Sequence, residues 1–472
     1  MNARGSETIL NIETLAFGGR GVAKAEGLVV FVDGALPGQQ VAARIVRKRK
    51  DFAEAKTLRV LQESPEAIAP KCPYFGECGG CRLQNLDYAA QLMYKHHQVV
   101  ESLEHLGDFE KPDVLQTLPS PDLFYYRNKM EYSFGRQRWL TQQETASDEI
   151  TRPRDFALGL HVRGRFDKIL DIDDCYLQSQ NSVEILNLVR QVVLRGEIPP
   201  YSTRDHSGFW RHLVIREGKN TGETMVNLVT AEHPKLYGAV ENLTASLSVR
   251  FPEITTIVHI INRKKAQVAT GQEEHVLAGP GFIKEKIGPR LFQISAHSFF
   301  QTNSRGAEIL FRKVLELADF RGHETVYDLY CGAGTISLYL ADKVERVVGF
   351  ELVESAVKDA ERNSKLNGVE NCVFVQGDLK DVLTEESEVS QKWGAPDALI
   401  IDPPRAGMHA RVLRQVLHLQ PETIIYVSCN PTTFARDAKE LCRSQYRLEM
   451  VQPVDMFPHT AHIELVSRLR RR

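Results

Sequence analysis

Thr325-Val326-Tyr327-Asp328-Leu329-Tyr330-Cys331-Gly332-Ala333-Gly334 is the stretch from which the fold is read. Thr325 to Tyr330 is a run of β-favouring residues and reads as a strand. Cys331 to Gly334 is a glycine turn, and Thr335 to Leu340 opens a helix. That succession begins a doubly wound α/β sheet, in which a ligand meets bare backbone at a helix N-terminus. One pair of glycines is weak evidence alone, and the strands that follow supply the rest. Arg346 to Phe350 ends in Glu351, about twenty residues on, where such folds hold a ribose hydroxyl. Val373 to Val375 runs into Gly377-Asp378, and Ala398 to Ile401 runs into Asp402-Pro403-Pro404-Arg405-Ala406-Gly407. Ile424 to Val427 runs into Ser428-Cys429-Asn430-Pro431. Ligands sit outside the carboxyl ends of such strands, so Gly332, Gly334, Glu351, Asp378, Asp402 and Cys429 converge on one edge. No third glycine completes a dinucleotide fingerprint. This favours a mononucleoside-sized ligand, with S-adenosylmethionine the candidate. A free cysteine is more often core than nucleophile, but the convergence lifts Cys429 out of that class.

Upstream, residues 7–62 alternate short apolar runs with glycine turns, as in Leu28 to Val32 before Asp33-Gly34. Strands at this spacing predict a small β-barrel of the oligonucleotide-binding kind over residues 1–64. Its basic edge, Arg47-Lys48-Arg49-Lys50, suits an RNA backbone, although a charge run alone is more often a solvated turn. Cys72, Cys78 and Cys81 then fall on one glycine-rich loop, and Cys175 is the only other cysteine before the C-terminal third. Thiolates this close in a reducing compartment share a metal, and the spacing leaves zinc and an iron–sulfur cluster evenly matched. Leu83 to Leu106 reads as a helix with an imperfect apolar face of Leu86, Tyr88, Leu92, Val99, Leu103 and Leu106, placed to pack on the catalytic domain. Residues 65–290 form a mixed α+β central domain. Tyr125-Tyr126-Arg127-Asn128-Lys129 and Arg163-Gly164-Arg165-Phe166 interleave aromatic and basic groups there, as RNA contacts do. Gln142 to Asp155 is polar and reads as a flexible loop. Asn303-Ser304 caps a helix running through Ile309 to Ala318 in the last domain, residues 291–472. Cys331, Cys372 and Cys442 read as packing residues.

The totals are those of an ordinary globular protein. Of 472 residues, 42% are hydrophobic and 25% charged, and the net charge is -2. Contact with nucleic acid must therefore come from local patches and not from a global field. The N-terminal MNARGSETIL has no apolar leader, and no run reaches membrane-spanning length. A cytoplasmic protein with reduced thiols is expected, and no obligate protein partner is evident.

Five ordered motifs now stand together. They are Phe300-Gln301-Thr302-Asn303, Asp328 to Gly334, Asp402 to Gly407, Ser428 to Pro431, and Pro458-His459-Thr460-Ala461-His462-Ile463-Glu464. This set resembles the RNA uracil-C5 methyltransferase family over nearly the whole chain. With the N-terminal barrel, which resembles a TRAM domain, and the cysteine pattern, it is most similar to the bacterial members that make 5-methyluridine in 23S ribosomal RNA. The resemblance implies a Rossmann-like methyltransferase domain and a [4Fe-4S] cluster held by Cys72, Cys78, Cys81 and Cys175. It also implies that Gln301, Tyr330, Glu351 and Asp402 line the S-adenosylmethionine pocket, with Gly332, Gly334 and Asp378 at its rim.

The chemistry explains the residue types. Carbon 5 of uracil is a poor nucleophile until a thiolate adds at carbon 6 and turns the ring into an enolate. Cys429 is the expected nucleophile. Glu464 matches the family's base, which removes the carbon 5 proton after methyl transfer, from a terminal strand able to lie beside the fifth. A flipped or splayed uridine is required. Three other readings have distinct signatures. An amino-group methyltransferase would place an aromatic where Arg405 stands. A non-catalytic iron–sulfur RNA-binding protein would need neither Cys429 nor Glu464. Methylation of transfer RNA position 54 would use the same chemistry.

Overall fold

A computed structural model describes residues 5–147, 150, 152–165, 167–383 and 388–472. The N-terminal strands form a six-stranded sheet in which the strand Gln40–Lys48 lies between Glu7–Asn11 and Phe52–Gln62. Alternate residues point inward, and Leu10, Val30, Val32, Val41, Ile45 and Ala53 make the barrel's core. Arg47 to Lys50 stand exposed at its edge.

The central sheet has seven strands. Its strands Trp210–Glu217, Thr224–Thr230 and Thr256–Ile261 are buried throughout, because both faces are covered. Leu213, Ile215, Val226, Leu228 and Ile257 pack in one core with Ile185, Leu186, Val189, Leu243 and Leu247 of the helices Gln180–Arg195 and Tyr237–Arg250. The alternate residues Val214, Met225, Val229, Val258 and Ile260 belong to the core of the catalytic domain. The boundary expected at 290 falls at the start of the second strand of a hairpin, Phe282–Ile287 with Arg290–Ser295.

Two local expectations change. The polar stretch after Thr141 is not all loop, for Gln142–Ser147 is a helix. Glu144 N–H donates to Thr141 Oγ1 at 3.2 Å and Thr141 N–H donates to Glu144 Oε2 at 3.0 Å. That is a reciprocal capping box written in Thr141-Gln142-Gln143-Glu144. Residues 148, 149 and 151 of the same stretch lie outside the described residues. The helix expected from Leu83 starts later, and α1 spans Tyr88–His105 with Asp87 as its cap. Its buried face carries Gln91, Lys95, Gln98 and Ser102 beside Val99 and Leu103, which is why the apolar periodicity was imperfect.

In the catalytic domain α2 spans Ser304–Ala318, capped by Asn303. Five parallel strands follow: β1 (Thr325–Leu329), β2 (Arg346–Glu351), β3 (Cys372–Gln376), β4 (Ala398–Ile401) and β5 (Thr423–Ser428). Helix α3 is Pro431–Ser444, and β6 (Tyr446–Val454) and β7 (Glu464–Arg471) close the sheet. The order is β3-β2-β1-β4-β5-β7-β6, with β7 antiparallel to both neighbours. Glu464 thus opens a strand paired with the one that ends at Ser428. β1 stops one residue earlier than expected, because Tyr330 turns out at φ 65°. Among the described residues no helix is long and apolar enough to cross a membrane.

Candidate active site

The register of the sheet, parallel from β3 to β5 and antiparallel between β5 and β7, brings the strand ends level. Leu329 pairs with Phe350 and Ile401, Glu351 with Gln376, and Ser428 with Leu465. Tyr330, Glu351, Asp378, Asp402, Cys429 and Glu464 therefore lie along one sheet edge. Glu351 braces the glycine turn: its Oε2 accepts from Gly332 N–H at 3.0 Å and its Oε1 from Val353 N–H at 2.8 Å. Gly334 sits at φ +74°, and a Cβ there would come within 2.9 Å of the Phe374 ring, so the turn admits only glycine. Asp378 is used differently. It caps the short helix Leu379–Val382 and pairs with Lys380 at 2.8 Å, which holds its carboxyl below the usual range. Gln301 is half-buried. Its carbonyl accepts from Asn128 Nδ2 at 2.8 Å, which ties this segment to the central domain. Phe299, two residues before it, is 70% exposed.

Cys429, Asp402, Glu464 and Arg405 form one electrostatic cluster. Burial, then the charges of Glu464 and Asp402, push the Cys429 thiol up to about 11, while Arg405, within hydrogen-bonding reach, opposes them. Glu464 is buried, and that burial together with Asp402 holds its carboxyl well above the usual range. Burial and the neighbouring Asp328 raise Asp402 to about 7. Asp328 itself is buried beneath the turn and accepts from Ser337 Oγ at 2.5 Å. Arg405 Nη2 lies 3.3 Å from His462 Nδ1. Three of these groups are not singled out by sequence reasoning: Arg405 and His462 lie inside quoted motifs without an assigned role, and Phe299 lies one residue outside its motif.

Cys72, Cys78, Cys81 and Cys175 line a single cavity of about 420 Å³, with Tyr74, Met130 and Leu177 on its walls. Burial is the main cause that raises all four thiols, and repulsion from neighbouring thiols adds to it at Cys72, Cys78 and Cys81; Cys78 and Cys81 reach about 12. Thiolates could gather here only around compensating positive charge. Among the described residues no three His, Cys, Asp or Glu side chains close tightly enough to hold a single metal ion.

A glycine turn braced by an acid at the end of the second strand, in a sheet of this order, defines a Rossmann-like S-adenosylmethionine-dependent methyltransferase. The family follows from comparison with known proteins. Residues 221–472 match the model of the tRNA (uracil-5-)-methyltransferases, and residues 3–58 match the TRAM domain. An uncharacterized RNA methyltransferase of Chlorobaculum tepidum is 45% identical, over 94% of this chain and 92% of its own length. One from Bacteroides thetaiotaomicron is 39% identical, over 97% of this chain and 100% of its own. The crystal structure of the Pyrococcus abyssi tRNA (uracil-54, C5)-methyltransferase with S-adenosyl-L-homocysteine matches with a TM-score of 0.75. It is 32% identical and covers 98% of this chain and 100% of that one. The chain belongs to the tRNA (uracil-5-)-methyltransferase family and carries a TRAM domain. It is an RNA uracil-5-methyltransferase, as its motifs led one to expect.

Proposed function

We propose that this enzyme methylates carbon 5 of a uridine in RNA by covalent catalysis at Cys429, with Glu464 as the proton acceptor. The observation that carries the proposal is the shared cluster of Cys429, Glu464, Asp402 and Arg405 at the sheet edge. The thiolate of Cys429 adds to carbon 6, and the electron pair of the carbon 5–carbon 6 bond moves toward the carbonyl to give an enolate. Carbon 5 then takes the methyl group that S-adenosylmethionine supplies, and S-adenosylhomocysteine leaves. Glu464 removes the carbon 5 proton, and re-forming the double bond expels the thiolate.

The electrostatics suit that order. A thiolate and a carboxylate side by side repel each other, and each raises the other's proton affinity. Once sulfur is bonded to carbon it carries no charge, so the thiolate no longer opposes the Glu464 carboxylate at the stage when a base is needed. The burial that raises its pKa also makes it a stronger base. Arg405 is the cation that favours the attacking thiolate, and Asp402 orients the uracil edge or the cofactor amine. Gln301, Tyr330, Gly332, Gly334, Glu351 and Asp378 form the cofactor pocket, Asp378 through the loop that it caps.

The cysteine cavity suits a polynuclear centre. Four thiols surround a space of about 420 Å³ and not a point, so Cys72, Cys78, Cys81 and Cys175 would hold a [4Fe-4S] cluster. Such a group would tie the connection at Cys175, between the strand Ile169–Asp171 and the helix Gln180–Arg195, to the loop of Cys72 to Cys81. The cysteine pattern and TRAM barrel favour 23S ribosomal RNA as substrate. The second reading, transfer RNA position 54, is favoured by the Pyrococcus abyssi neighbour. Mapping 5-methyluridine in total RNA from cells with and without the protein decides between them. Loss of a 23S site supports the first reading, loss at position 54 the second, and an unchanged map refutes both.

A further inference from the structure

Arg405 is gripped through its backbone by α3. Its carbonyl accepts from Asn430 Nδ2 at 3.0 Å and from Thr433 Oγ1 at 3.3 Å. The Ala406 and Met408 carbonyls accept from Arg436 Nη2 at 3.0 and 3.3 Å, and Asp437 Oδ2 accepts from Met408 N–H at 2.8 Å. Gly407 is packed so closely that a Cβ would lie 2.5 Å from Arg436 Nη2. These contacts fix the loop but not the guanidinium at the end of a flexible stem.

His462 supplies that second hold, at 3.3 Å from Arg405 Nη2. A guanidinium has donors and no acceptor, so Nδ1 accepts and the imidazole proton resides on Nε2. His462 and Arg405 are exposed; partial desolvation of the imidazole, with Arg405, Lys95, Arg127 and Arg82 nearby, holds His462 down to about 4, so it stays neutral at physiological pH. Cys429 for its part faces Glu464, Asp402 and Arg405.

The loop that carries His462 is itself braced from α1. Lys95 Nζ donates to Asp455 Oδ1 at 2.6 Å, with both side chains at most 1% exposed, and to the Phe457 carbonyl at 3.2 Å. Gln91 Oε1 accepts from His459 N–H at 2.9 Å. Arg82 and Leu83 N–H donate to the His459 carbonyl at 2.8 and 2.9 Å. A buried lysine–carboxylate pair is a weak source of net stability, and its best-attested use is to fix register.

We propose that His462 is a positioning residue for the nucleophile: it accepts a hydrogen bond from Arg405 and so holds the guanidinium against the Cys429 sulfur. Gln91 and Lys95 hold its loop in place. The proposal rests on the reading of Cys429 as the attacking group. The test uses the full-length protein, purified anaerobically and free of RNA, and follows iodoacetamide alkylation of Cys429 by mass spectrometry from about pH 7 to about pH 11. Removing the acceptor in His462→Leu is expected to move the alkylation midpoint up by about one pH unit. The kcat is expected to fall about tenfold, with KM for S-adenosylmethionine unchanged. His462→Asn, whose Oδ1 takes the place of Nδ1, is expected to keep most of the wild-type midpoint. Gln91→Leu is expected to move it in the same direction as His462→Leu, and keeps the test open should His462→Leu fail to fold. A midpoint unmoved in His462→Leu and Gln91→Leu, or moved equally by His462→Asn and His462→Leu, overturns the proposal. Full turnover by Cys429→Ala would instead overturn the underlying reading of the nucleophile.

Discussion

Replacing Glu464 by glutamine should push two properties of the active site in opposite directions. With the thiol at about 11, only about one molecule in 10³ carries a thiolate at pH 8. After burial, Glu464 is the largest cause of that value, and glutamine removes its charge while keeping its size. The midpoint of Cys429 should therefore fall, and each unit of fall gives tenfold more thiolate at pH 8. Iodoacetamide alkylation of the free enzyme should then run several-fold to about tenfold faster than wild type. Turnover should collapse, since a positioned base contributes about 10²–10⁴ in rate. Methyl transfer precedes the lost step, so a methylated RNA–protein adduct should accumulate on denaturing gels at up to one per enzyme. Tritium from methyl-labelled S-adenosylmethionine would travel with the protein band. Turnover within threefold of wild type would show that Glu464 is not the acceptor. Turnover and alkylation falling together would show that the substitution had merely damaged the site.

Other outcomes follow from the same geometry. Asp402 keeps its proton to about pH 7 in the fold, whereas the unfolded chain releases it near pH 4. Wild type should lose stability as pH rises across that window, and Asp402→Asn should show a flatter melting-temperature profile. The same variant should alkylate faster at Cys429 and methylate more slowly. Cys175→Ala should abolish iron incorporation, measured as iron per protein, and lower the melting temperature; full iron content would remove Cys175 from the ligand set. Phe299→Ala should leave stability within about 0.5 kcal/mol, because the ring is 70% exposed. If that ring stacks on RNA, kcat/KM should fall by about one to two orders of magnitude. An unchanged kcat/KM would make Phe299 an incidental surface residue.

The catalytic sheet was legible because each parallel strand is a short apolar run that ends in glycine, an acid or Asp-Pro, and those punctuation residues gather at one sheet edge. The proposed catalytic pair was legible for the same reason, since Cys429 and Glu464 stand at the ends of neighbouring strands. Helix α1 was harder to read. Its inward face holds Gln91 and Lys95, whose partners Asp455 and His459 are more than 300 residues away, so local periodicity gave no sign of burial. The contact of Arg405 with His462 spans 57 residues and likewise leaves no local pattern. The helix Gln142–Ser147 was there to be read, since its capping box is contiguous, but the polarity of the segment masked it. Asp378 shows that a strand-end acid can do two jobs, for it caps Leu379–Val382 and is proposed to shape the cofactor pocket through the loop that it caps.

The most direct test of the account is the bond between sulfur and carbon. RNA transcribed with 5-fluorouridine has no proton at carbon 5 to surrender, so the reaction must stop after methyl transfer. With S-adenosylmethionine present, the account predicts a stable adduct whose digestion yields a peptide containing Cys429 and carrying a methylated fluorouridine nucleotide. Cys429→Ala should give none. A covalent link at any other residue, or methylation of unmodified RNA without a trapped species on the fluorinated one, would contradict it.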